Sequence, residues 1–304
     1  MSARDWLGLI RFSHTVFALP FAILAAFLAW SAPLPSSADQ DYPSIRIQDI
    51  IGILLCMVLA RSAAMAFNRL VDHDIDAANP RTAARHLPAG ILSRRSVLFF
   101  TGLTSLGFVA STTLFLPNQI PLWGSFPVLA WLFGYSLAKR WTSSAHLWLG
   151  VALALSPLCV WAAIRGPWVL SEPADWGVPG LLATAIALWV AGFDIIYACQ
   201  DADFDAKAGL HSIPATHGIE GALRIALLLH VAMLCSLGVL AWLGHRSGLG
   251  WVFAVSVLAT AVLVVSQHRM VRPDDLSRVN EAFFQANATI SVILLAGGVI
   301  DCYV

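Results

Sequence analysis

Apolar residues along this chain fall into long unbroken runs, with polar residues gathered in the gaps between them. Nine runs approach the ~20 residues that carry a helix across a hydrocarbon layer. They cover roughly 12–31, 47–68, 97–116, 121–138, 146–165, 177–198, 222–243, 249–267 and 283–300, the fourth being the shortest. A helix packed in a water-soluble protein keeps a polar face, and these runs have none. The pattern therefore predicts an all-α polytopic membrane protein, one domain over 1–304 with nine transmembrane helices. The first run is too long for the apolar part of a signal peptide and further spans come directly after it, so it reads as a retained helix.

The gaps differ in kind. Ala32–Ser44 and Gly166–Pro179 are rich in proline and small residues and read as turns or short interfacial pieces. Residues 69–96 and 199–221 are long, polar loops dense in glycine and ionisable groups. Loops of that kind on a rigid scaffold are where binding and catalysis concentrate. Four spans separate the two, and an even number of crossings returns the chain to the same membrane face. The loops can then meet above one cavity.

Composition agrees. Hydrophobic residues make up 58% of the 304 and charged ones 12%, against about 25% charged in a soluble domain. Net charge is zero, which excludes a basic nucleic-acid surface. The positions of the basic residues say more. With the N-terminus in the cytoplasm, Arg4, Arg11, Arg69, Arg81, Arg85, Arg94, Arg95, Lys139, Arg140, Lys207, Arg224, Arg269, Arg272 and Arg278 lie inside. Only Arg46, Arg165 and Arg246 lie outside, and Arg61 sits within a span. That bias predicts a cytoplasmic N-terminus, an external C-terminus and both polar loops on the cytoplasmic face of the inner membrane. The five cysteines are scattered, without a CxxC pair, and indicate neither zinc nor a disulfide framework.

Chemistry concentrates in the two cytoplasmic loops. Asn68, Asp72 and Asp76 stand at i, i+4 and i+8, so a continuing helix stacks them on one face. Asp194, Tyr197, Asp201 and Asp205 step by three, four and four, again one face. Like charges so spaced destabilise a bare helix and call for a counterion. Mg²⁺ suits one or two carboxylates completed by phosphate oxygens and water, and two clusters can clamp one diphosphate. A solvated acidic helix end is the bland alternative for either stretch alone; two on one membrane face weigh against it. Arg61, two turns before Asn68, is expensive inside a span and reads as a pocket residue, touching diphosphate or neutralising Asp72. Arg85 and Lys139, with Arg140 beside it, are the cations expected on diphosphate oxygens. Asp74 points away from the stripe, and Arg94 and Arg95 read as membrane anchors. His14, His73, His86 and His211 fall near the proposed mouth as polar neighbours, because the nine histidines show no ligand spacing.

Taken together, these motifs resemble the UbiA superfamily of intramembrane aromatic prenyltransferases. The likeness lies in Asn68-x₃-Asp72-x₃-Asp76 and Asp194-x₂-Tyr197-x₃-Asp201-x₃-Asp205. It extends to the segment just after each motif: Asn79-Pro-Arg-Thr with Arg85-His-Leu-Pro, and Gly209-Leu-His-Ser-Ile-Pro. It runs from about residue 6 to 300. Arg69 departs from the pattern, since many members carry an acid or amide there, and it is left out of the metal set. The resemblance implies helices around a central cavity under two Asp-rich loops, and Mg²⁺-dependent condensation of a polyprenyl diphosphate with an aromatic ring. The 4-hydroxybenzoate polyprenyltransferase-like subgroup is the most similar, part of which acts on a dihydroxynaphthoate in menaquinone synthesis.

On that footing Asp72, Asp76, Asp201 and Asp205 are expected to bind two Mg²⁺ ions, with Asn68 as a further oxygen ligand. Arg85, Lys139, Tyr135 and Tyr197 are expected at the diphosphate. Asp194, one turn deeper than Tyr197, is expected to position the acceptor or assist its attack. A transporter with acidic gating loops is the reading from another class, but transporters place polar groups near the midplane rather than at one face. A haem-farnesylating or chlorophyll-type transferase and a lipid-diphosphate hydrolase have no feature here in their favour.

Overall fold

The computed structural model describes residues 3–10, 18–35 and 40–304, apart from the side chains of 3 and 281–283. Arg11, His14 and the start of the first predicted span lie outside the described residues. Among those described there is no β-strand, and fourteen α-helices succeed one another. They are α1 Ala3–Leu9, α2 Leu19–Ser31, α3 Ile47–Val71, α4 His73–Ala78, α5 Arg94–Ser111, α6 Ile120–Ala138 and α7 Ala145–Arg165. After these come α8 Trp168–Ser171, α9 Gly177–Ala198, α10 Ala202–Lys207, α11 Ile213–Leu243, α12 Trp251–Met270, α13 Val279–Glu281 and α14 Asn287–Asp301.

Eight helical segments are long and apolar enough to cross a membrane, and they match the second to ninth predicted runs. The first run appears as the thirteen-residue α2, too short by itself within the described residues. The chain is a multi-pass membrane protein. One expectation is corrected: 199–221 is not a loop but largely helix. Cys199–Asp201 forms a 3₁₀ turn, α10 comes next, and α11 starts at Ile213 instead of near residue 222. Ser212 caps α11 by accepting the Ala215 N–H, and Pro214 lies in its first turn. Gly218, at φ 69°, kinks the helix at an angle that other residues adopt only with strain.

The helices pack as two compact units. One contains α1 and α3–α6. Its α3 lies along α5, and Leu9, Ala66, Leu87, Leu92 and Val97 close an apolar cluster with Trp6 and Phe100 around it. The other contains α2 and α7–α14 and is built round α9. Two thirds of the apolar window of that span is buried, against 11% for α6. Close packing on α9 depends on small residues, the usual means of helix association in lipid. A Cβ on Gly150 of α7 would strike the Ala187 carbonyl, and one on Gly192 would meet the His230 ring at 2.5 Å.

Several polar groups buried in this second unit pair with one another. Trp189 Nε1 donates to Asn287 Oδ1 at 3.0 Å, and His230 bridges the Trp189 carbonyl (3.2 Å) and His268 (2.8 Å). At the end of α14, the Asp301 carboxylate accepts the N–H groups of Gly250, Val252 and Phe253 at 2.7, 3.2 and 2.7 Å. It thus satisfies three of the orphan donors at the start of α12. Asp301→Ala is expected to lower stability by about 1–2 kcal/mol, the range for a lost helix cap. A thermal midpoint in detergent that stayed at the wild-type value would contradict this.

Candidate active site

The first carboxylate stripe lies at the junction of α3 and α4. Asp72 leaves helical geometry (φ −89°, ψ 9°), yet its N–H still donates to Asn68 O at 2.9 Å and Asp76 N–H donates to Asp72 O at 2.7 Å. The i, i+4, i+8 row therefore survives the break, as its spacing predicts. Asn68 Nδ2 donates to Asp72 Oδ2 at 2.8 Å. Asp76 is buried at 5% exposure. Its Oδ1 accepts from Arg85 Nη1 at 2.6 Å, while Oδ2 is buried and accepts no hydrogen bond.

Arg85 reaches Asp76 because the turns after α4 are pinned locally. Asn79 Oδ1 accepts the Arg81 N–H at 2.9 Å, and the Thr82 hydroxyl donates to the Asp76 carbonyl at 2.9 Å. Leu87 and Leu92 then anchor the segment in the apolar cluster, and His86 lies against Gly8 of α1. Arg69, set aside in the sequence, belongs to the same cluster. It is buried with Nη1 3.6 Å from Asp76 Oδ2. Asp74 is outside it as expected: exposed, bonded to His73 at 2.7 Å and Arg94 at 3.0 Å. Those two partners, His73 first, hold its carboxyl below the ordinary carboxylate range. Arg61 is half-buried on α3, and Tyr135 half-buried on α6.

The second stripe runs from α9 through the 3₁₀ turn into α10. Asp201 and Asp205 are buried at 7% and 2% exposure, while Asp203 points outward. Lys139 Nζ lies 3.4 Å from Asp205 Oδ2. That placement is set by the Gly209-Leu-His segment. Gly209, at φ 67°, ends α10 in the left-handed region, and Leu210 N–H returns to Asp205 O at 2.9 Å. His211 N–H then donates to the Lys139 carbonyl at 2.8 Å. The predicted cations Arg85 and Lys139 thus each sit on the last carboxylate of a stripe. Arg140 is exposed, and Tyr197 is half-buried against the cluster of Ile195, Ile196 and Ala226.

Asp194 has a partner that the sequence did not suggest. His146 Nδ1 lies 2.7 Å from Asp194 Oδ2, with the ring fully buried. The pair is 48 residues apart, so no motif spacing could reveal it. The available signal was an ionisable residue within a predicted apolar run, as with Arg61.

No three His, Cys, Asp or Glu side chains among the described residues form a ready-made cage. Mg²⁺ does not need one, since it keeps several waters and takes one or two carboxylates with substrate phosphate oxygens. Both stripes offer oxygen donors only. The buried Asp76 Oδ2, which accepts no hydrogen bond, is the kind of atom such an ion satisfies.

The comparisons with known proteins point the same way. Residues 18–289 match the UbiA prenyltransferase family. The 4-hydroxybenzoate octaprenyltransferase of Saccharophagus degradans is 30% identical over 273 residues, 90% of this chain and 85% of the relative. That of Vibrio vulnificus is 32% identical over 274 residues, covering 88% of each. The apo structure of a UbiA homolog from Aeropyrum pernix K1 superposes with a TM-score of 0.80 at 34% identity, over 95% of this chain and 98% of that one. A UbiA homolog from Archaeoglobus fulgidus bound to GPP and Mg²⁺ shares the fold, with a TM-score of 0.67 at 17% identity over 99% and 100% of the chains. With a family match over most of its length and relatives at this level of identity, the chain belongs to the UbiA prenyltransferase family and is a membrane prenyltransferase.

Proposed function

We propose that this prenyltransferase moves a polyprenyl chain from its diphosphate to 4-hydroxybenzoate, in one membrane domain, with both carboxylate stripes acting on the diphosphate through Mg²⁺. The observation that carries the reading is the buried, hydrogen-bond-free Oδ2 of Asp76 at the end of an all-oxygen stripe. The relatives named 4-hydroxybenzoate octaprenyltransferase support the acceptor. The homolog described with GPP and Mg²⁺ supports the donor and the ion. The charge bias of the loops supports a cytoplasmic N-terminus, an external C-terminus and diphosphate arriving from the cytoplasm.

In this scheme Asn68, Asp72, Asp76, Asp201 and Asp205 hold Mg²⁺. When bound, the ion neutralises the charge that grows on the leaving diphosphate. Arg85 and Lys139, with Arg61 and Arg140, add hydrogen bonds to the same oxygens. Tyr135 and Tyr197 orient the diphosphate. Asp194 accepts a hydrogen bond from the acceptor hydroxyl, and the apolar helices keep water from the allylic cation.

The test incubates membranes containing the protein with a polyprenyl diphosphate and Mg²⁺, offering 4-hydroxybenzoate in parallel with 1,4-dihydroxy-6-naphthoate, with product masses as the readout. Prenylated 4-hydroxybenzoate that disappears with EDTA and returns with Mg²⁺ is expected. Turnover of the naphthoate alone would replace the acceptor, and turnover undiminished by EDTA would remove the ion.

A further inference from the structure

Three features of the second unit bear on His146. The ring is buried, with 1% of its side chain exposed, while the Asp194 side chain keeps 25%. The Ile213 N–H points at His146 Nε2 at 3.4 Å, so Nε2 is the acceptor and the proton sits on Nδ1. Nδ1–H then donates to Asp194 Oδ2 at 2.7 Å. The ring is thereby held at both ends, in one tautomer. Ile213 is the first residue of α11, directly after the Gly209–Ser212 segment that holds Lys139. Its N–H is one of the orphan donors of a helix start. His146 therefore ties Asp194 to the segment that closes the second stripe.

Helix packing makes the reach possible. His146 and Gly150 stand at i and i+4 on one face of α7. Gly150 sits directly on the Ala187 carbonyl of α9, and Asp194 lies two turns further along α9. The missing side chain at Gly150 brings α7 close enough for the ring to meet the carboxylate. His146 occupies Oδ2 of Asp194, while a quarter of the Asp194 side chain stays exposed.

We infer that His146 is a positioning residue for the transfer reaction: it fixes Asp194 so that Oδ1 meets the hydroxyl of the aromatic acceptor. The inference rests on the acceptor role given to Asp194 in the proposed function. As the hydroxyl-activated ring carbon attacks, a C–C bond forms to the allylic carbon. The allylic C–O bond breaks, its electron pair leaving on diphosphate. The hydroxyl proton passes to Asp194 Oδ1, giving a cyclohexadienone. The proton on the attacked ring carbon then goes to the released diphosphate. Asp194 returns its own proton to the ring oxygen, so the carboxylate and the aromatic ring are both restored.

A carboxylate that swings freely loses this geometry, and misplacement by about 1 Å can cost on the order of 100-fold. His146→Leu is therefore expected to reduce prenyl transfer by about 10–100-fold, while Mg²⁺-dependent diphosphate release without acceptor stays near wild type. His146→Asn places an amide donor where Nδ1 stood and is expected to recover most of the activity. In an Asp194→Asn background, His146→Leu should add little, because the group it positions is already disabled. Loss of acceptor-free diphosphate release along with transfer, or full additivity in the double variant, would mark His146 as merely structural and overturn the inference. Wild-type transfer in His146→Leu beside an inactive Asp194→Asn would overturn it while leaving the proposed function standing. Wild-type transfer in Asp194→Asn would instead remove the acceptor role itself.

Discussion

Asp72→Ala and Asp201→Ala are each expected to lower prenyl transfer by about 100- to 1,000-fold, the effect of removing one preorganised electrostatic group from a reacting centre. These two positions are chosen over Asp76 and Asp205 on structural grounds. Asp76 neutralises Arg85 and lies 3.6 Å from Arg69, so its loss strands buried cations and confounds chemistry with folding. Asp205 is itself almost fully buried and pairs with the partly exposed Lys139, so its loss would disturb packing as well as charge. Asp72 is half-buried and receives the Asn68 amide, so truncation there removes an oxygen donor with less damage to packing. Asp201 lies in the 3₁₀ turn between α9 and α10, where alanine fits the backbone. The measurement is product formation at saturating Mg²⁺, beside the thermal midpoint of each variant in detergent. A well-folded variant of either kind with wild-type turnover would end the scheme in which both stripes hold Mg²⁺.

The second large effect is on stability, at the other end of α7. Arg165 has 2% of its side chain exposed. Its Nε and Nη2 grip Asp175 at 2.8 and 2.7 Å, Nη1 donates to Ala32 O and Nη2 to Pro33 O, both at 2.8 Å. The guanidinium also lies 5.2 Å from the Trp161 ring. It therefore caps the carbonyl end of α2 and neutralises a carboxylate that Trp161 Nε1 also holds at 2.9 Å. Arg165→Ala leaves Asp175 charged and most of this network broken, which is expected to cost about 3–5 kcal/mol. Arg165→Lys should rescue little, because an ammonium cannot reproduce the planar fork. Roughly nineteen residues of helix, about 28 Å, separate Arg165 from His146, so protein that stays folded should keep its transfer rate. A midpoint near wild type for Arg165→Ala would refute the assignment, and so would a specific loss of turnover without loss of stability.

Local features were legible in the sequence because they depend on spacing within one helix. Runs of apolar residues announce spans whatever they pack against, and the four-residue steps from Asn68 to Asp76 and from Asp194 to Asp205 announce faces. Even the break at Asp72 left its row intact, since the i to i−4 bonds run through it. The segment 199–221 misled for the opposite reason. Its polar composition reads as loop, but Ser212 capping and a glycine kink let a helix begin where hydropathy had not yet risen.

Local periodicity and the cost of polar groups in lipid are enough to make this a multi-span membrane protein with two oxygen-rich helical stripes. Which charges meet depends on how the helices pack. Arg69 joins Asp76, Lys139 is held on Asp205 by a backbone bond from His211, His146 takes Asp194, and Arg165 caps α2 from 133 residues away. Such pairings depend on how closely helices approach, which small residues such as Gly150 allow but do not specify. A buried charge must find a partner, and its identity is set by packing rather than by distance along the chain.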